Sequence, residues 1–270
     1  MLPIERYFPE EEVVILDYAT FKKMAAELTQ IDLNSYKSQQ MDRRINSLMS
    51  FWNLQSYDEF YDLLRKDPKR YKDFVKKLTI NVSEFFRNAE RFHELWQSIL
   101  PELLKKPQIR IWSAGCSDGA EPYTIAIILH ELQAQHRARI IASDVDRVIL
   151  EKAKEAVYAL NEVKSVPEEL LPRYFDMRDS FYVLKQPIKD MVEFRAQNLL
   201  VDEYEENFDL IVCRNVVIYF TEDAKIVLYQ KFLKALNPGG YLMVGGTEPI
   251  LAYRQMGFEN ALTSFYRKPI

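Results

Sequence analysis

Residues 109–123 read IRIWSAGCSDGAEPY, and the organisation of the chain can be worked out from this stretch. Its first letters, IRIW, predict a short buried strand, and Gly115 and Gly119 supply a turn whose backbone can approach a ligand closely. The apolar run that begins at Tyr123 is long enough for a helix. A strand, a glycine turn and a helix N-terminus together form a site for a nucleotide-like ligand, because free N–H groups and the helix dipole point into the turn. The glycine spacing matches neither the dinucleotide fingerprint nor a phosphate loop.

Length and composition bound what the rest of the chain can be. The 270 residues, 48% hydrophobic and 28% charged, are enough for one large globular domain or two modest ones. The 36 basic and 40 acidic residues give a net charge of −4, so no global feature suggests a nucleic-acid partner. Two cysteines, Cys116 and Cys213, cannot form a disulfide framework and favour a cytoplasmic location. The opening sequence is not typical of a signal peptide, and no apolar run approaches the roughly 18 residues of a membrane span, so we expect no direct membrane insertion.

The first 80 residues contain no glycine, and their apolar residues recur at spacings of three and four. After a flexible lead, expected over 1–11, this pattern predicts helices from about residue 13, over 35–50, after Ser56 with its capping box to Glu59, and from Pro68. A further helix is expected over 88–100. We therefore predict an all-helical N-terminal domain over 12–88, and a connecting helix and linker over 89–108.

Beyond residue 108 the pattern alternates between short apolar runs and longer amphipathic ones, which predicts an α/β domain over 109–270 with a mostly parallel sheet and helices on both faces. A polar, aromatic stretch near 181–184 interrupts this alternation and predicts a small antiparallel β insertion at about 175–192. The predicted strands are 109–114, 139–143, 191–196, 208–213 and 241–245, and the predicted helices are 121–133, 146–157 and 221–236.

Polar residues follow the predicted strands at the edge where such sheets bind ligands. Asp144 comes about 25 residues after the glycine turn, where nucleotide-binding α/β folds hydrogen-bond a ribose. The alternative is that Asp144 and Asp146 both cap the next helix, a role we expect for Asp146. Arg214 and Asn215 end the fourth strand, and a charged side chain there faces a ligand or an interface, or else forms an internal salt bridge.

A second unusual segment, 78–92, lies between the helical and the α/β parts. Asn81, Ser83 and Arg87 are polar residues placed among large apolar ones, and crevices between domains are common ligand sites. Local helix capping is the alternative for part of this segment. The three histidines lack metal-ligand spacing, so no metal is expected. Cys116 has no evident histidine partner in the sequence, and we expect both cysteines to be small packing residues.

Taken in order, five blocks of the sequence closely resemble the chemotaxis receptor methyltransferases, the CheR family. The blocks are LTINVSEFFRNAERF (78–92), IWSAGCSDGAEPYTIA (111–126), ASDVD (142–146), FDLIVCRNVVIYF (208–220) and LNPGGYLMVGGTE (236–248). The resemblance implies a Rossmann-like class I methyltransferase sheet with a small antiparallel insertion, preceded by an all-helical domain. It also implies methyl transfer from S-adenosylmethionine to glutamate side chains on the cytoplasmic helices of chemoreceptors, which leaves S-adenosylhomocysteine and serves chemotactic adaptation.

Site residues follow from the same resemblance. Arg87 and Tyr219 match positions that face the reacting carboxylate, and Lys37 and Arg44 match a basic receptor-docking face on the second helix. The residues implied to contact the cofactor are Asn81, Ser83, Arg87, Gly115, Glu121, Asp144, Asn198, Leu199, Arg214 and Asn215.

The sequence departs from the family pattern at three places. Ala120-Glu121 stands where Glu-Glu is common, which leaves Glu121 as the one carboxylate of this loop able to reach an adenosine hydroxyl. Ser83 replaces a threonine and keeps its hydroxyl. The segment 181–184 lacks the glycine-rich loop of members that bind a receptor tail peptide, so we expect docking without that peptide. Two alternatives stay open, namely transfer to another carboxylate acceptor and a cofactor-sensing module that transfers no methyl group.

Overall fold

The computed structural model describes residues 16–79 and 83–270. The predicted helical N-terminal part consists of helices α1 (Tyr18–Thr29), α2 (Ser38–Phe51), α3 (Tyr57–Lys66) and α4 (Pro68–Thr79), with a 3₁₀ turn at Leu33–Ser35. The second helix therefore begins at Ser38, three residues after the predicted start at residue 35, because the chain first makes the 3₁₀ turn.

Local sequence explains where these helices begin. Asp17 accepts a hydrogen bond from the N–H of Thr20, and Ser56 accepts one from the N–H of Glu59, as N-caps do. The helices enclose their own core, in which Phe21, Phe60 and Phe74 are completely buried and pack ring against ring. This core is separate from the cores of the α/β part, and so the helical part has its own hydrophobic interior.

One continuous helical stretch connects the two parts. It runs through α5 (Ala89–Glu94), a π-helical turn (Leu95–Ile99) and α6 (Leu100–Leu103). A helix was predicted here, but its periodicity does not reveal the π turn. Within α6 lies Pro101, which cannot donate a backbone hydrogen bond, so a distorted helix is expected immediately before it.

Seven strands form the main sheet within the described residues, and its order is β6-β2-β1-β7-β8-β10-β9. Strands β1 (Ile109–Ala114), β2 (Ala138–Asp144), β6 (Val192–Ala196), β7 (Phe208–Cys213) and β8 (Leu236–Val244) are mutually parallel, as predicted. The sheet ends in two antiparallel strands that the sequence did not predict, β9 (Glu259–Leu262) and β10 (Phe265–Arg267).

The connections between strands place a crevice at β1 and β7. From β1 the chain moves outward to β2 and β6, and it then crosses back to β7 on the other side of β1. Ligands of open α/β sheets bind at the carboxyl ends of the strands where the order reverses in this way. The main helices of this part are α7 (Ala120–Glu131), α8 (Arg147–Glu155) and α12 (Glu222–Ala235).

The inserted β structure is a three-stranded antiparallel sheet of order β3-β5-β4, which we call the insertion sheet. Its strands are β3 (Val157–Ala159), β4 (Phe175–Arg178) and β5 (Phe181–Leu184). The prediction that α8 continues to residue 157 was wrong, because Ala156 takes a left-handed conformation that ends the helix. Residue 157 pairs instead with Val183 of β5. Short helices α9 (Leu160–Val163), α10 (Leu171–Tyr174) and α11 (Gln186–Lys189) flank this sheet.

Candidate active site

A cleft lies at the carboxyl ends of β1, β2 and β7, between the sheet and the helical part. Ten of the residues predicted from sequence line it together. They are Ser83, Arg87, Gly115, Glu121, Asp144, Asn198, Leu199, Arg214, Asn215 and Tyr219. Asn81 lies outside the described residues, and Lys37 and Arg44 are not part of the lining.

The glycine turn forms one wall of the cleft where β1 ends. Gly115 has a φ of +81°, and a Cβ atom placed there would lie 2.5 Å from Cγ2 of Val216. Any side chain would therefore clash with the loop after β7 as well as strain the backbone. The N–H groups of Gly115 and Cys116 both donate to the carbonyl of Ser143 at the end of β2, which fixes the turn between the two strands.

Asp144 ends β2 and is tied to two neighbouring loops. Its carboxylate accepts hydrogen bonds from the N–H of Ser117, at 2.9 Å, and from the N–H of Asp146, at 3.0 Å. Burial raises the pKa of this carboxyl to about 6, although these N–H groups favour the charged form. Helix capping, the alternative considered for this pair, is performed by Asp146, which accepts from the N–H groups of Val148 and Ile149.

Glu121 forms a buried charged group with Arg214. One carboxylate oxygen accepts a 2.8 Å hydrogen bond from Ser113, and the other lies 3.4 Å from Nη1 of Arg214. Burial raises the pKa of Glu121, and the facing guanidinium opposes that effect. Removing one member of such a buried pair typically costs 3–5 kcal/mol, roughly, because the other charge remains without compensation.

Arg214 also connects the sheet to the segment that carries Arg87. Its Nη2 atom donates to the carbonyl of Arg87, at 2.7 Å, and to the side-chain oxygen of Asn88, at 2.8 Å, while its guanidinium lies 4.9 Å from the ring centre of Phe92. Both interpretations of this arginine from sequence therefore hold, since it makes an internal salt bridge and lines the cleft. Its Nε atom is buried and has no hydrogen-bond partner in the described part of the chain.

The backbone on either side of Arg87 is strained. Phe86 and Asn88 have φ angles of +52° and +62°, in the left-handed region that side chains avoid. Residues held in this way cost on the order of 1–3 kcal/mol each and persist only where their surroundings enforce the conformation. Here the N–H of Phe86 donates to the hydroxyl of Thr124 on α7, at 3.1 Å, and Arg214 holds the other end.

Tyr219 is held largely from the helical part of the chain. It ends a 3₁₀ turn (Val217–Tyr219), and its carbonyl accepts a 2.9 Å hydrogen bond from the N–H of Lys37. The guanidinium of Arg44 lies 5.0 Å from the centre of the Tyr219 ring and also donates to the carbonyl of Leu78, at 2.6 Å. Arg44 is thus half-buried beside the cleft, whereas Lys37 is exposed and lies just before the first residue of α2.

Asn198 uses its side chain to join the two parts of the protein. Its amide nitrogen donates to the carbonyl of Gln30 at the end of α1, at 2.5 Å, and its oxygen accepts from the N–H of Leu200. Although Asn198 lines the cleft, its side chain therefore supports the wall. Leu199 is buried beside it.

Several residues of this site were missed by the sequence analysis, and Glu248 and Tyr36 are two of them. Glu248 is buried, and its carboxylate accepts three backbone hydrogen bonds, from the N–H groups of Gly245, Asn215 and Ile218. It thereby shapes the turn that follows Arg214, in which Asn215 has a φ of +59°. The signal that the sequence offered was a carboxylate at the exit of the predicted strand 241–245. Tyr36 also lines the cleft and packs edge-on against Phe220, but no local pattern marks it.

Comparisons with known proteins agree with this geometry. The family model described as "CheR methyltransferase, SAM binding domain" matches residues 81–264, and the one described as "CheR methyltransferase, all-alpha domain" matches residues 16–79. The chain belongs to the CheR methyltransferase family. This membership confirms the predicted fold class and the predicted S-adenosylmethionine-dependent methyl transfer in chemotaxis.

Named CheR relatives cover nearly the whole chain. A chemotaxis protein methyltransferase of Listeria monocytogenes is 37% identical over 254 residues, which are 93% of this chain and 97% of the relative. One of Borreliella burgdorferi is 32% identical and covers 88% of this chain and 89% of its own length. Among solved structures, a putative O-methyltransferase of Nostoc punctiforme covers 65% of this chain and 40% of its own, at 18% identity and a TM-score of 0.38.

The residues of the cleft suit the cofactor that CheR methyltransferases use. S-adenosylmethionine presents a ribose diol, an ammonium group, a carboxylate and a positively charged sulfur. Asp144 offers a carboxylate where a ribose is bound in such folds. The acidic Glu121 suits the positive groups, and the unpartnered Nε of Arg214 suits the carboxylate. In residues 16–79 and 83–270 no cluster of side chains could hold a metal ion, and no helix is long and apolar enough to cross a membrane.

Proposed function

We propose that this CheR protein is a protein-glutamate O-methyltransferase that methylates the cytoplasmic helices of chemoreceptors. The observation that carries the proposal is that Arg87 and Tyr219 line the same cleft as Asp144 and Glu121. A cation and a phenol that can orient a carboxylate thus lie beside the groups that suit the cofactor. The receptor glutamates belong to cytoplasmic helices in this proposal, so we infer that the protein acts in the cytoplasm.

The charges of this reaction explain why a buried cleft favours it. When bound, S-adenosylmethionine supplies a methyl group on a positively charged sulfur. The acceptor glutamate is negative near neutral pH and so needs no general base. Since both charges disappear as the methyl group passes between them, a site that excludes water favours the less polar transition state over the separated ions.

Arg87 and Tyr219 have complementary roles in this proposal. Both donate to the same oxygen of the substrate carboxylate, so that the other oxygen faces the methyl group. Arg87 must not bind both oxygens, because a bidentate pair would stabilise the bound substrate more than the transition state and so slow the transfer. Orientation of this kind can contribute up to about 7 to 11 kcal/mol in favourable cases. The strained backbone on both sides of Arg87 restricts where its side chain can reach.

A labelling experiment tests the acceptor group. Membranes that contain chemoreceptors are incubated with the protein and with S-adenosylmethionine labelled in the methyl group, and the product is then exposed to mild base. Glutamyl methyl esters release labelled methanol under these conditions, whereas N-methyl products do not. Label that survives base contradicts the proposal.

The same experiment separates the two remaining alternatives. A methyltransferase of another carboxylate acceptor would leave the receptors unlabelled but would label a small carboxylic acid. A sensing module would bind S-adenosylhomocysteine in calorimetry and label neither. The presence of both Arg87 and Tyr219 in the cleft supports the methyltransferase.

A further inference from the structure

The insertion sheet contacts both walls of the cleft, although it contributes no residue to the lining. One wall is the glycine turn after β1, and the other is the segment 83–88, which carries Ser83 and Arg87. Tyr158, at the centre of β3, is completely buried and touches both. Its hydroxyl donates to the carbonyl of Asp118 in the glycine turn, at 2.8 Å.

The ring of Tyr158 reaches the second wall. It packs edge-on against the ring of Phe85, with 4.8 Å between centres and planes at 90°. Phe85 is also completely buried, and its ring centre lies 5.0 Å from that of Phe175 in β4. Its N–H donates to the carbonyl of Glu162 in α9, at 2.9 Å. Phe85 comes two residues before Arg87, so its fixed position determines where the strained stretch begins.

Charged contacts reinforce the same two links. Lys152 lies 3.3 Å from the carboxylate of Asp118 and 2.7 Å from that of Glu162, so it joins the glycine turn to the insertion. Lys164 lies 3.3 Å from the carboxylate of Glu84, which joins the insertion to the other wall. The walls are therefore connected through the insertion as well as through Arg214.

We propose that Tyr158 is a positioning residue for methyl transfer, which keeps the cofactor turn and the Arg87 segment at the separation that the reaction requires. The hydroxyl acts on the turn, and hence on cofactor affinity. The ring acts through Phe85 on Arg87, and hence on the rate of transfer. Burial raises the pKa of the Tyr158 hydroxyl, so this group remains a proton donor at neutral and moderately alkaline pH. The role of Arg87 in this inference rests on the proposed function.

Tyr158→Phe tests the hydroxyl because it keeps the ring contact with Phe85. We expect the affinity for S-adenosylhomocysteine, measured by calorimetry, to fall about three- to tenfold, which is the effect of losing one buried hydrogen bond. The transfer rate at saturating cofactor should be retained. Tyr174→Phe is the matched control. Tyr174 is a buried tyrosine of the neighbouring helix α10, and its hydroxyl bonds to His130 and Glu131, away from both walls. The proposal is overturned if Tyr158→Phe binds with native affinity, or if both variants lose affinity equally.

Phe85→Leu tests the ring. We expect the rate of receptor methylation at saturating cofactor to fall at least tenfold, while thermal unfolding shows that the chain still folds. An unchanged rate would overturn this half of the proposal. If native protein transfers no methyl group to receptors, the proposed function fails, but the calorimetry of Tyr158→Phe still decides on the link to the cofactor turn.

Discussion

Asp144 lines the cleft in an environment that disfavours its charged form. Its raised pKa, about 6, means that the ligand-free folded chain holds a proton on Asp144 more tightly than the unfolded chain, in which the ordinary value is about 3.8. Between these two values the folded state binds more protons. The contribution of this group to stability is therefore fully present below pH 4 and is lost as the pH rises through 6. A ligand that donates hydrogen bonds to Asp144, such as a ribose diol, benefits from the charged form.

We therefore expect the affinity for S-adenosylhomocysteine to fall as the pH is lowered from 7.5 to 5, because protonation removes the negative acceptor. In Asp144→Ala the affinity at pH 7.5 should be about tenfold lower or worse, since hydrogen bonds to charged groups contribute more than neutral ones. The dependence on pH should also be weaker than in the native chain. Calorimetry across this range measures both effects. A native affinity in the alanine variant would remove Asp144 from the site.

At the scale of elements, α2 has two separate contacts with the cleft region. Lys37 is exposed at its start, and the sequence resemblance gives it a role in receptor docking. Arg44 was expected on the same docking face, but its guanidinium packs against the Tyr219 ring and bonds to Leu78. We propose that Lys37 acts in receptor recognition and that Arg44 acts on the position of the Tyr219 ring.

Their substitutions should accordingly have different effects. Lys37→Glu is expected to raise the KM for receptors and to leave turnover and cofactor affinity close to native, because it changes only an exposed charge. Arg44→Gln is expected to lower turnover, as Tyr219→Phe should, because the ring loses a cation contact worth about 0.5–2 kcal/mol. Steady-state methylation of receptor membranes separates KM from kcat. A purely KM-based effect of Arg44→Gln would return that residue to the docking surface.

The sequence predicted those elements whose evidence is local. Runs such as IRIW and FDLIVC are apolar without interruption, as buried parallel strands are, and the caps at Ser56 and Asp146 lie where helices begin. Strand β3 was read as the end of a helix, because its identity depends on pairing with β5, which is more than 20 residues away. The strands β9 and β10 pair with each other, and they were missed because the ladder that joins them to the sheet runs from β10 to β8, more than 20 residues earlier in the chain.

At the scale of the whole molecule, the helical and α/β parts meet around the cofactor cleft. Ser35 accepts a hydrogen bond from Thr221, Tyr36 bridges to Phe220, and Asn198 donates to Gln30. The sequence located a site between the two parts but could not show this meeting, because each contact joins residues that lie far apart along the chain.

Cofactor binding should therefore stabilise both parts together. We expect saturating S-adenosylhomocysteine to slow amide hydrogen exchange in α1, α2 and α4 as well as in the sheet, because Tyr36 and Thr79 of the helical part line the cleft. At a ligand concentration of 100 times Kd, the linkage amounts to about 2.7 kcal/mol. Hydrogen exchange followed by mass spectrometry gives the measurement. Protection confined to residues 109–270 would contradict the expectation.

The contacts of the Glu248 carboxylate determine how late during synthesis the cleft can form. It holds the turn after Arg214 through donors that precede it by about 30 residues, so that turn cannot take its final form until β8 and its exit have left the ribosome. During synthesis, the chain thus carries Asp144 and Glu121 long before it can enclose a cofactor. We therefore expect S-adenosylmethionine to bind only after residue 248 has been made, and a chain that ends before residue 248 should not retain the ligand.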